Sequence, residues 1–164
     1  MSQTRFINPP ALRKPPGYTH VVEVTAPARI VYIAGQLGVD SNDKVVGDFR
    51  RQAVQTFENL KTALAAVGAQ FRHVVKFNNY LVDRANLPTF REVRDSYLAK
   101  NDRPASTTIA ISGLAREGAL IEIEAVAVLP AAARAKAASK SAAKAAGKTR
   151  SARSVRPRAR PKRK

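Results

Sequence analysis

Residues 120–129, LIEIEAVAVL, limit the fold more than any other segment of this chain. In an extended strand, successive side chains point to opposite faces. One face then carries Ile121, Ile123, Ala125 and Ala127, and the other carries Glu122, Glu124, Val126 and Val128. Both faces are largely apolar, so both need cover. Helices can supply one cover. The other requires a second subunit, because a large apolar face left in water is an interaction surface. Self-association is therefore expected from the pattern itself.

The preceding segments supply the rest of a sheet and two helices. Residues 1–17 are polar and rich in proline, and read as an extended arm. Residues 20–25 and 29–36 are rich in Val and Ile and are separated by Pro27, which predicts a β-hairpin. Asp48 is placed to cap a helix running to about Val67. Phe49, Ala53, Phe57, Leu60, Leu64 and Val67 recur at steps of three and four and make one apolar stripe. Gly68 is its expected stop. Residues 73–83 read as a strand. Asn86 and Pro88 open a second helix, with Phe90, Val93, Tyr97 and Leu98 as its apolar face. Residues 107–112 and 120–129 close the fold as strands. The order ββαβαββ predicts an α+β fold: a mixed sheet with both helices on one face.

Charge divides the chain. Of 29 Lys and Arg, 13 lie in residues 131–164, which contain no acid. The other 16 face all 12 acids in residues 1–130. The expected organisation is one folded domain, 1–130, and a disordered basic tail, 131–164. Lys136, Lys140 and Lys144 recur every four residues, and Arg158, Arg160 and Lys162 punctuate a Pro-rich end. Such a tail suits the phosphates of nucleic acid or another polyanion, without base reading. The chain has no Cys, which excludes disulfides and thiolate chemistry. His20 and His73 stand far apart, and no metal-ligand spacing, phosphate loop or serine-nucleophile motif is present. No cofactor is expected. Residues 1–15 carry Pro9, Pro10 and Pro15 and no apolar run, and no segment has the length of a membrane span, so a cytoplasmic location is expected.

Several motifs, in order, resemble the reactive-intermediate deaminase family of RidA/YjgF type, also called L-PSP endoribonucleases. They are Gly17-Tyr18, Ile33-Ala34-Gly35-Gln36, Pro104-Ala105 and Ile121-Glu122-Ile123-Glu124-Ala125. The likeness spans roughly residues 5–129. It implies a chorismate-mutase-like fold, a homotrimer whose sheets pack around a central barrel, and small-molecule clefts between subunits. In family members that hydrolyse imines and enamines, an arginine after Pro-Ala holds the substrate carboxylate. Here Ser106 stands at that position. A glutamate corresponding to Glu122 holds the attacking water, and Tyr18 and Gly35 line the cleft. Arg91 falls where a helix asparagine often contributes.

Arg-to-Ser removes two charge-assisted hydrogen bonds, each worth roughly 1.5–3 kcal/mol, so 2-imino acids should bind poorly. Arg91 could restore a cation, although a solvated helix face explains it as well. Ser106 and Thr107 are candidate ligand donors; Thr108 reads as an ordinary strand hydroxyl. Glu122 on a covered strand is a catalytic candidate, because a buried carboxylate is rare unless paired or working. Glu124 is the weaker candidate of the two. Tyr32, Tyr80 and Tyr97 read as core. Two functions follow: a trimeric protein that binds a small metabolite, with or without deaminase-type hydrolysis, or a nucleic-acid-associated protein working through its tail. No acid–base His pair supports ribonuclease chemistry.

Overall fold

A computed structural model describes residues 3–25 and 28–131. Its elements are β1 (Gln3–Ile7), β2 (Val21–Thr25), β3 (Ala28–Leu37), α1 (Phe49–Ala66), β4 (Val74–Leu81), α2 (Leu87–Tyr97), β5 (Ala105–Ala110) and β6 (Ile121–Pro130). Short 3₁₀ turns at Phe71–His73 and Arg84–Asn86 precede β4 and α2.

Four strands form a mixed sheet in the order β3-β6-β4-β5. Strand β6 is antiparallel to both β3 and β4, and β4 is parallel to β5. Thus β3, β4 and β5 all run one way. The connections β3–α1–β4 and β4–α2–β5 step across the sheet in the same direction. With one crossover hand shared by both, both helices fall on one face.

The burial of β6 alternates as the pattern requires. Ile121, Ile123, Ala125 and Ala127 are buried under the helices, while Glu122, Glu124 and Val126 are only partly covered. Against the buried face lie Phe49, Ala53, Phe57, Leu60 and Leu64 of α1 and Phe90 and Val93 of α2. Phe57 is the centre of this layer. It stacks on Tyr97 at 4.9 Å and meets Phe77 edge-on at 6.3 Å.

The helix ends follow local chemistry. The Asp48 side chain accepts the Arg51 N–H at 2.9 Å and opens α1. At the other end Arg29 donates to the Val67 carbonyl at 2.6 Å, and Gly68 takes φ +74°. This is the left-handed turn that glycine permits after a helix. Asn86 precedes α2, but its side chain caps nothing; Asp83 accepts from Ala85 N–H at 2.8 Å one turn earlier.

Three expectations need correction. Residues 1–17 are not all an arm, because Gln3–Ile7 pairs antiparallel with β2, Phe6 opposite Val22. The element order is therefore βββαβαββ rather than ββαβαββ. Residues 20–25 and 29–36 do not form a hairpin with one another, since β2 joins the two-stranded β1–β2 sheet and β3 pairs with β6. Each segment finds a better partner far away in sequence. Tyr32 and Tyr80 are not core: Tyr32 is 80% exposed, and Tyr80 lies part-covered on the helix-free face. Alternation along β3 and β4 assigns them to that side.

The helix-free face exposes Ile30 and Tyr32 on one edge strand and Ile109 on the other. Among the described residues no helix is long and apolar enough to cross a membrane. Lys136, Lys140, Lys144, Arg158, Arg160 and Lys162 lie outside the described residues.

Replacing Phe57 by Ala should cost about 3–5 kcal/mol, the range for deleting a fully buried aromatic side chain. Urea unfolding would measure it. A loss under about 1 kcal/mol would show that the aromatic layer does not organise the core.

Candidate functional site

Strand β3 departs from regular pairing at one place. Ile33 is opposite Ala125 and Gln36 is opposite Ile123, so Ala34 and Gly35 together face the single residue Glu124. This is a β-bulge, a device that re-aims the side chains around it. Its consequence is local and steric. A Cβ on Gly35 would overlap the Glu122 carboxylate, whose Oε1 sits over the glycine Cα. Glycine is needed there to let the carboxylate lie against backbone.

Glu122 and Glu124 project from the helix-free face beside Asn78 and Tyr80, their partners on β4. Asn78 donates to Glu124 Oε2 at 3.2 Å, and the Tyr80 hydroxyl donates to the same oxygen at 3.4 Å. Desolvation, and then the charge of Glu124, push the Tyr80 phenol above its ordinary value. Next along β4, Lys76 donates to Thr107 Oγ1 at 2.5 Å, and partial burial lowers its ammonium pKa. The face is thus a polar strip of Glu122, Glu124, Asn78, Tyr80, Lys76 and Thr107, set within apolar neighbours.

Ser106 lies on the other face. It is opposite Phe77 on β4, whose ring belongs to the core. Its Oγ accepts from the buried Asn79 amide at 2.9 Å, and the same amide also donates to the Thr107 carbonyl at 2.8 Å and to Thr108 Oγ1 at 3.2 Å. Arg91 is exposed on α2, in the helix layer, and is not brought near Glu122.

Tyr18 sits at a third place. Its segment docks on the start of β5, with Thr19 N–H donating to the Pro104 carbonyl at 3.2 Å. His20 meets the Tyr18 ring edge-on, and its Nε2 lies 2.9 Å from the Arg13 carbonyl. Glu122 is opposite Tyr80, and Tyr80 is opposite Ile109. From Pro104 to Ile109 is five residues along β5, roughly 16 Å at about 3.3 Å each. One chain therefore brings Gly35 and Glu122 together, and leaves Tyr18, Ser106 and Arg91 elsewhere.

Sequence reading missed the ion cluster that holds Tyr18 in place. Arg94, 5% exposed on α2, and Arg103 both reach Asp95 Oδ1, at 2.8 Å and 2.5 Å. Arg103 also donates to the Ala99 and Gly17 carbonyls. Gly17 adopts φ +89° directly over the two guanidinium groups, where a side chain would collide with them. The signal was available: Arg94 occupies an inward position of the Phe90–Val93–Tyr97 stripe.

Two cavities flank this cluster. One, of about 1200 Å³, lies between the C-terminal ends of α1 and α2, against Leu64, Phe71, Tyr97 and Leu98. The other, of about 530 Å³, lies beside Tyr18. Neither includes Glu122, Gly35 or Ser106.

Comparison with known proteins gives this arrangement its context. A family profile described as Endoribonuclease L-PSP matches residues 11–129. The chain belongs to this family. A 2-iminobutanoate/2-iminopropanoate deaminase of Dermatophagoides farinae is 32% identical over 132 residues, 79% of this chain and 99% of the relative. Protein DfrA of Myxococcus xanthus is 36% identical over 68% of this chain and 84% of its own length. Among solved structures, a protein of unknown function of the conserved Rid family from Yersinia pestis superposes with TM-score 0.70 at 34% identity, covering 77% of this chain and 98% of that one. RidA from an Antarctic Psychrobacter gives TM-score 0.59 at 32% identity, over 71% and 92%. The L-PSP likeness thus covers the sheet, both helices and the Gly35–Glu122 pair.

Within this L-PSP chain the Asp95 cluster makes a pH prediction. Burial alone would raise the Asp95 carboxyl, but hydrogen bonds and charge from Arg94 and Arg103 outweigh it and hold the pKa below the ordinary value. Stability from a depressed carboxylate is fully present above its unfolded value, about 3.9, and is lost as pH falls through the lower folded value. Asp95→Asn should therefore lower the Tm at neutral pH and lose less on acidification below pH about 4. Melting curves across pH would show this, and parallel wild-type and variant profiles would refute it.

Proposed function

We propose that this protein binds a small imine- or enamine-type metabolite and that Glu122 serves hydrolysis of its C–N bond, in a cleft between copies of a homotrimer. The observation that carries the reading is the Glu122 carboxylate seated over Gly35 at the β3 bulge. A carboxylate in that position can accept a proton from water as the oxygen attacks the imine carbon. With the imine bound as its iminium, this attack gives a neutral carbinolamine; the same group then returns its proton to nitrogen and takes the hydroxyl proton as the C–N bond breaks, releasing ammonia and a carbonyl product. Relatives named as 2-iminobutanoate/2-iminopropanoate deaminases support the reaction class.

Two observations support the intersubunit location. The face bearing Glu122 is free of helices and exposes Ile30, Tyr32 and Ile109, as a face awaiting a second copy would. Tyr18 and Glu122 also lie too far apart in one chain to share a ligand, so a cleft containing both draws them from different copies.

The substrate differs from that of the deaminase relatives at its carboxylate end. Ser106 supplies no charge, and its hydroxyl is engaged by Asn79 on the opposite face. Substrates whose recognition depends on a cation at that position, the short 2-imino acids, should be poor ones. Uncharged imines should be preferred.

Two kinetic outcomes are expected. Glu122→Gln should lower turnover of an uncharged imine about 10²-fold or more, and Gly35→Ala should match it by displacing the carboxylate while the Tm changes little. Stopped-flow decay of enzymatically generated imines would measure both. Full activity in Glu122→Gln would end the reading. In the same assay, 2-iminopropanoate should be hydrolysed less efficiently than the neutral imine, and the reverse order would show that Ser106 does not govern specificity.

A further inference from the structure

The cavity beside Tyr18 has a charge imbalance. Its charged lining is Lys14, Lys100 and Arg103 against Asp95 and Asp102. Arg94 adds a further cation directly beneath Gly17. Asp95 receives both guanidinium groups on one oxygen, so a single carboxylate serves two cations that are largely withdrawn from water. Arginine does not deprotonate in proteins, so the surplus charge cannot be relieved by titration. A withdrawn charge without a full counter-charge is costly, and an incoming anion offsets that cost. Desolvation is also the chief influence on Arg94, and it works against its charge.

The geometry favours a ligand over a further protein contact. Arg103 is fixed by the Ala99 and Gly17 carbonyls as well as by Asp95, so its guanidinium is pre-organised. Lys14 and Lys100 are exposed and stand on separate segments at the cavity. A cavity of about 530 Å³ falls in the size range of small-metabolite sites.

We propose that this cavity is an anion site that takes the phosphate or carboxylate group of a small metabolite between Arg103, Lys14 and Lys100, with Arg94 and Asp95 positioning Arg103. Within one chain the site includes neither Gly35 nor Glu122; it adjoins the proposed cleft through Tyr18 and does not depend on hydrolysis there. Phosphate is the favoured occupant over a single carboxylate, since it presents more acceptor oxygens and more charge to three cations.

The test is a melting experiment on the full-length protein, with inorganic phosphate replacing chloride at constant ionic strength and acetate as the carboxylate arm. A ligand that binds the folded state raises the Tm with concentration. Phosphate should raise the wild-type Tm more than acetate does. Lys14→Ala/Lys100→Ala should weaken the response at least ~tenfold in apparent Kd, a difference of about 1.4 kcal/mol. Arg103→Gln should abolish it; if that variant does not fold, the double lysine variant still decides. Glu122→Gln should respond as wild type, which separates this site from the hydrolytic one. Lys136→Ala/Lys140→Ala/Lys144→Ala should also respond as wild type. No phosphate response, a response unchanged in the double lysine variant, or one lost only in the triple variant would overturn the proposal. A larger response to acetate would overturn the preference for phosphate.

Discussion

Strand β6 lies between β3 and β4 and turns Ile121, Ile123, Ala125 and Ala127 toward the helices. Each large aliphatic side chain buried this way contributes roughly 1.5–3 kcal/mol relative to exposure, and the aromatic layer around Phe57 closes over them. Because β6 is antiparallel to both its neighbours, β3 and β4 run parallel, and successive parallel strands need a crossover connection. With β4 also parallel to β5 and both crossovers stepping the same way, both helices lie on one side. The opposite side keeps Glu122, Glu124, Ile30, Tyr32 and Ile109 for other purposes.

That separation organises the chemistry. The helix side spends its polar groups on structure, as in Asn79 with Ser106 and Thr108, or Gln52 with the Gly118 carbonyl and Leu120 N–H. The open side holds carboxylates without a full set of partners. The bulge at Ala34–Gly35 is what brings backbone close to one of them. The loop side, with Gly17, Tyr18 and the Arg94–Asp95–Arg103 cluster, forms a third region with its own electrostatics. These regions converge only if copies of the chain come together.

The legible parts were those governed by local rules. Helix α1 is fixed by a cap, a 3.6-residue stripe and a glycine stop, all close together in sequence. The alternation of β6 likewise separated its two faces, although not which of them the helices would cover. Strand β1 was not legible because its partner, β2, is distant and three of its five residues are polar; the pairing of Phe6 with Val22 cannot be inferred from either alone. The hairpin around Pro27 failed for the matching reason, since local turn signals do not say which sheet a strand will join. Gly35 and Glu122 were identified by family likeness, whereas their contact depends on a bulge that no periodicity reveals. Arg94 was passed over because a charge in an apolar stripe reads as solvent-facing until its counter-ions are placed.

The Asn79 amide ties positions 79 and 106 into one unit. Its two hydrogens are shared among Ser106, the Thr107 carbonyl and Thr108, inside a buried setting where an unpaired amide is expensive. A bulkier or charged side chain at 106 would remove one of three acceptors, leaving the Thr107 carbonyl and Thr108 for the two amide hydrogens, and would have to find space beside Phe77. Changing ligand preference through position 106 is therefore a packing problem as well as an electrostatic one. A new side chain there must first fit against Phe77 and the Asn79 amide before its effect on a ligand counts.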